Sequence, residues 1–246
     1  MHRRRSAATR RSNPVLRAGN TAATIALLIA APAAAVDLTA TASIASDYRF
    51  RGVSLSDRGA VVDASVTAAS SSWFAAVEGI SSARGRDAAA VRRSAEVDVS
   101  AGWSRAIGLF TPTAGVIAYF RPGGGESVNA EGFATLEGAL GPATLTVGAN
   151  YAPDQGAAPG GNLYLFTRAA AAVPATPLTI RARVGREAGA FEGGRVKIDY
   201  AAGVEARVTR AVTLGIDYVG NDLPRTTGQT HRNRTDGVVV RAGVTF

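Results

Sequence analysis

Counting back from Phe246, every second residue is apolar: Val244, Ala242, Val240 and Val238. The alternate row, Thr245, Gly243, Arg241, Val239 and Gly237, is mostly small or polar. A strand points successive side chains to opposite faces, so this segment predicts a strand with one apolar face. The same period of two recurs upstream. Residues 95–104 set Ala95, Val97, Val99, Ala101 and Trp103 against Glu96, Asp98, Ser100, Gly102 and Ser104. Residues 196–206 and 212–218 repeat the pattern, as do 143–151 and 178–184. Twelve strands are predicted, near 38–50, 61–69, 73–82, 94–104, 109–120, 129–140, 143–151, 162–173, 178–186, 195–206, 211–220 and 236–246. About ten alternating residues are what a tilted strand needs to cross a bilayer.

The connections carry independent information. After the odd-numbered predicted strands they are long and rich in Gly, Arg, Asp or Pro, as in 51–60, 83–93 and 221–235. After the even ones they are short, as in 70–72 and Gly141-Pro142. Outer-membrane barrels have short periplasmic turns and long extracellular loops. The predicted fold is therefore all-β: a transmembrane, antiparallel, up-and-down β-barrel of about twelve strands. Aromatic residues near segment ends, including Tyr48, Phe50, Trp73, Trp103, Phe110, Phe120, Tyr151, Tyr218 and Phe246, fit interfacial girdles.

The N-terminus reads differently. Arg3, Arg4, Arg5, Arg10, Arg11 and Arg17 precede an apolar run from Thr21 to Ala31, and Ala33-Ala34-Ala35 follows. That order predicts a cleaved secretory signal over 1–35, with the barrel over 36–246 and delivery to the bacterial outer membrane. The signal also distorts the charge balance. The chain has 27 basic and 19 acidic residues, and six of the basic ones precede Val36, leaving 21 against 19. A nucleic-acid partner loses its support. There is no Cys, so neither disulfides nor thiolate ligands are available.

The segment Ser46-Asp47-Tyr48-Arg49-Phe50-Arg51-Gly52-Val53-Ser54 resembles the signature block of the proteobacterial TorF-type porin family. In that family the block follows the signal and first strand, and the chain ends on an aromatic residue. Leu55-Ser56-Asp57-Arg58-Gly59-Ala60 departs from the family's usual continuation. The resemblance implies an outer-membrane barrel and a channel, with no defined substrate. It also implies that assembly machinery reads the last strand and its Phe246. Lipid and lipopolysaccharide would surround the barrel.

If the apolar row faces lipid, the other row faces the lumen. Glu78, Glu96, Asp98, Glu131 and Glu137, with Asp63, would make one acidic wall. Arg168, Arg181, Arg183, Lys197 and Arg241 would make the opposite wall mainly basic, interrupted by Asp199, Glu205 and Asp217. Facing rows of opposite charge create a transverse field on a passing solute. The same charges could instead form a salt-bridged plug. Lumenal Gly115, Gly148, Gly203 and Gly215, with many Ser and Thr, favour an aqueous path. By parity, Asp47, Arg49 and Arg51 would share the lumenal row at the end of strand 1, and Tyr48 and Phe50 the outward row. Two functions follow: passive diffusion of small hydrophilic solutes or ions, or a non-conducting structural or surface-interaction barrel. Catalysis has little support, since the only histidine after the signal, His231, lies in a predicted loop. No cofactor is expected, and no clustered His or Cys suggests a metal.

Overall fold

The computed structural model describes residues 36–84, 92–121, 128–155, 160–224 and 234–246. The predicted signal over 1–35 and His231 lie outside the described residues. Twelve strands among those described close into one antiparallel barrel. They are β1 (Asp37–Ala45), β4 (Val61–Ala69), β5 (Trp73–Arg84), β6 (Arg92–Ser104), β7 (Phe110–Phe120), β8 (Val128–Leu140), β9 (Ala143–Ala152), β10 (Asn162–Ala172), β11 (Leu178–Gly189), β12 (Val196–Arg207), β13 (Val212–Asn221) and β14 (Gly237–Thr245). Each pairs with its sequence neighbour, and β14 pairs with β1 to close the ring. Phe246 completes the seam, exchanging two backbone hydrogen bonds with Ala40. A separate two-stranded hairpin, β2 (Arg49–Phe50) and β3 (Val53–Ser54), stands apart from the wall.

The register follows the alternation. Val62, Val66, Val77, Val99, Val116, Val147, Ile180, Ile216 and Val240 are exposed on the outside. Glu96, Asp98, Glu131, Glu187, Lys197, Asp199 and Asp217 are buried inside. This is a soluble protein inverted, and it suits a closed barrel in lipid, where every backbone group must be paired internally. Connections of two to five residues gather at one end, with Asp37 and Phe246. Connections of six to fifteen residues gather at the other. The aromatic girdles are partly as predicted. Trp73 and Trp103 pair across β5 and β6 at the short-turn end, near exposed Phe110 and Phe246. Phe120, Tyr151 and Tyr218 are exposed toward the long-loop end. Tyr48 and Phe50 do not join them.

Candidate functional site

The wall ends at Ala45, five residues earlier than the alternation predicts. Ser46 holds the corner, donating its N–H to Val240 O at 2.9 Å and accepting from Val240 N at Oγ. The chain then turns inward because Asp47 organises it. Oδ1 of Asp47 accepts hydrogen bonds from the hydroxyls of Ser54 (2.6 Å) and Ser56 (2.8 Å), and Oδ2 pairs with Arg49 Nε at 2.7 Å. Between the two short strands, Arg51 and Gly52 have φ of 47° and 81°. Two positive φ angles are what a type I′ hairpin turn needs. Gly52 is also needed for space: a Cβ there would stand 2.9 Å from Asp199 Cβ and 3.0 Å from Asn221 Cβ. The hairpin tip thus presses on β12 and β13, and Asn221 Nδ2 donates to Gly52 O at 3.0 Å.

This overturns the expected placement of the Ser46–Gly52 block. Tyr48 and Phe50 face the interior, not lipid. Tyr48 donates to Glu96 Oε1 at 2.8 Å, and Phe50 packs edge-on against Tyr119 with centroids 5.9 Å apart. Once the chain leaves the wall, parity counted from strand 1 no longer says which way a side chain points. Burial, then the Glu96 charge, raises the Tyr48 phenol pKa and keeps it a neutral donor.

Arg51 crosses the lumen. Its Nη2 meets Glu131 Oε2 on β8 and its Nη1 meets Glu187 Oε1 on β11, both at 2.5 Å. The guanidinium lies between the rings of Phe50 and Tyr164, 4.7 and 4.2 Å from their centroids. Burial alone would lower the Arg51 pKa, but the two carboxylates outweigh it and raise the value. Each acid is satisfied further. Glu131 accepts from Tyr119 and Asn150, and Glu187 accepts from Asn162 and pairs with Lys197 at 2.5 Å. Such a network is stable only when every member is partnered. Glu187 lies one residue beyond the predicted strand 178–186: the charged Arg186 interrupts the apolar outward row there, yet β11 continues to Gly189 and carries Glu187 inward.

All ten charged candidates lie on the inward row. The strand registers place Glu78 opposite Asp98, Glu137 opposite Thr146, Arg168 opposite Arg183, and Arg241 opposite Gly215. The simple picture of an acidic wall facing a basic one needs correction. Arg181 pairs with Glu205 at 2.8 Å and with Asp217 at 2.9 Å, Arg183 with Asp199 at 3.0 Å, and Arg241 with Asp217. Three arginines are matched by three carboxylates, on the adjacent strand in each case, with Arg181 also reaching over β12 to Asp217 on β13. Lys197 is held by Glu187 and Glu192, and Glu96 by Arg121.

The four lumenal glycines read as open volume are also occupied. The Phe133 ring lies over Gly115 and Phe166 over Gly148. Asp217 lies over Gly203, and the Arg181 and Arg241 side chains over Gly215. Open space remains elsewhere. A cavity of about 650 Å³ beside the hairpin is lined by Asp63, Glu78, Arg168, Arg181, Arg183 and Arg241 among others. A second, of about 410 Å³, is bounded by Thr111, Thr113 and Thr135 and shares Glu137, Thr146 and Arg168 with the first. Among the described residues no cluster of His, Asp or Glu has metal-binding geometry.

Solved structures of similar fold include porins. The KdgM porin aligns with a TM-score of 0.58 at 8% identity, over 85% of this chain and 98% of its own. The NanC porin aligns at 0.55 and 12% identity, over 85% and 99%. KdgM in complex with disordered oligogalacturonate aligns at 0.54 and 7% identity, over 85% and 97%. At such identities the likeness is one of fold. No curated protein matches the sequence. A family model described as a bacterial protein of unknown function (Gcw_chp) matches residues 29–246, and the chain belongs to that family.

Proposed function

We propose that the protein is a bacterial outer-membrane channel for passive diffusion of small hydrophilic solutes or ions, with the 46–60 hairpin as its constriction. The observation that carries this reading is the cavity of about 650 Å³ beside the hairpin, with several charged side chains in its lining, inside a closed wall with an apolar exterior. The porin fold supports it, and the charged lining suits hydrated solutes. In this reading residues 1–35 are a cleaved signal, the long loops face outward, and lipopolysaccharide surrounds the outer rim. The Ser46–Ser54 block makes the TorF-type porin family the finer assignment. No cofactor or catalytic step is needed. In this reading Phe246 serves barrel assembly, and Phe246→Ser should reduce the heat-modifiable folded form in the outer membrane.

The test is single-channel recording of the folded barrel in planar bilayers. Discrete steps are expected, and deleting residues 49–54 should enlarge them. One observation favours a second reading. The Arg51 bridge ties the hairpin to two distant strands and narrows the long-loop end, as a non-conducting surface-interaction barrel would require. Correctly folded protein without conductance would select that reading.

A further inference from the structure

The lumenal charges divide into those with partners and those without. On β11 to β14 the arginines are matched by Asp199, Glu205 and Asp217. Arg51, Arg121 and Lys197 are held by glutamates toward the long-loop end. On β4, β5 and β6 this compensation fails. Asp63, Glu78 and Asp98 have no Arg or Lys at ion-pair distance among the described residues. They are neighbours: Glu78 is the cross-strand partner of Asp98 on β6 and of Ser65 on β4, one inward step from Asp63. Asp63 accepts from Ser43 Oγ at 2.5 Å. Asp98 is 7% exposed, and its buried Oδ1 has no hydrogen-bond partner. Across the barrel on β10, Arg168 has no carboxylate at ion-pair distance among the described residues; it lies 5.0 Å from the Phe166 ring centroid, and Thr146 separates it from Glu137.

A buried carboxylate without a donor or counter-ion is costly. A cation passing Asp63 and Glu78 in the cavity relieves that cost through its field, whereas the matched arginines present little net field to an anion. Carboxylate oxygens suit hard cations. The three acids do not converge into a closed chelate, and conduction requires binding weak enough to release. We propose that the lumen selects small inorganic cations, with Asp63 and Glu78 lining their path and the buried Asp98, the cross-strand partner of Glu78, adding its charge from behind. The inference rests on the channel reading.

The test uses the folded full barrel, checked by heat-modifiable migration. In bilayers under a KCl gradient near 0.1 M, wild type should favour K⁺ by roughly threefold or more, and less at 1 M, where the screening length falls from about 10 Å to about 3 Å. A Glu78→Gln/Asp98→Asn double variant should bring the ratio toward unity. Chloride preference in wild type, or an unchanged ratio in the folded variant, overturns the cation path and leaves the channel. Folded wild type without conductance removes the channel reading instead. Terbium then decides the path: Tyr119 is the cross-strand neighbour of Asp98 and should sensitise Tb³⁺ emission in wild type but not in the double variant. Absence of that emission in wild type overturns the proposal.

Discussion

The two halves of the lumen are built from the same strands in the same register, yet they are filled differently. Toward the short turns the inward row is mostly small, with Thr67, Ala76, Ser100, Thr113, Thr135 and Thr213, and its charges, Glu137, Arg181 and Glu205, keep part of their exposure. Toward the long loops it carries Glu96, Tyr119, Glu131, Tyr164, Glu187, Lys197 and Asp199, all buried. The difference is the inserted hairpin. Large polar side chains at the long-loop end reach inward to a partner, Arg51 or Tyr48, and lose solvent in doing so. At the other end no segment enters, and small hydroxyls leave space. The lumen is therefore specified by what must be neutralised as much as by what must be open.

The comparison can be broken at several points. The largest effect should come from Arg51→Ala, which leaves Glu131 buried without its cation and Glu187 with Lys197 alone. We expect a loss of about 3–5 kcal/mol in urea unfolding from vesicles, as for other broken buried pairs, together with larger conductance steps. A loss below about 1 kcal/mol, the range of exposed pairs, would mean the bridge is not buried in the membrane. Next, Val99→Arg on the outward row should cost about 2–4 kcal/mol near the bilayer midplane, and Ser100→Arg, beside Asp98 on the inward row, far less. Reversed costs would shift the register by one residue and move every lumenal assignment to lipid.

A smaller effect is expected at the hairpin tip. Gly52→Ala places a Cβ at positive φ against Asp199 and Asn221 and should cost about 1–3 kcal/mol. An unchanged midpoint would show that the tip does not seat on β12 and β13. The smallest belongs to the short-turn half, where Thr67→Ser removes one methyl and should stay within about 0.5 kcal/mol. A cost comparable to Gly52→Ala would mean that this half is packed and not open.

Much of this architecture was legible in the residues themselves. Period-two alternation marked the twelve strands to within a few residues and gave each lumenal charge its face, because Cβ direction in a strand is a local property. Connection length separated the two ends. The Ser46–Gly52 block was visible as a motif, but its conformation was not. Arg51 takes a left-handed φ that its side chain disfavours, and it is held there by carboxylates 80 and 136 residues away. The pairing of Arg181, Arg183 and Arg241 was likewise hidden. Alternation assigns a face but no partner, and the partner depends on which strands lie side by side and how far each guanidinium reaches. The glycines follow the same logic, since an absent side chain is space until a neighbouring ring is placed over it. The sequence alone determined the wall, its register and its ends. Only the tertiary structure decided what fills the lumen, because ion pairing and packing across a barrel join residues that no local period relates.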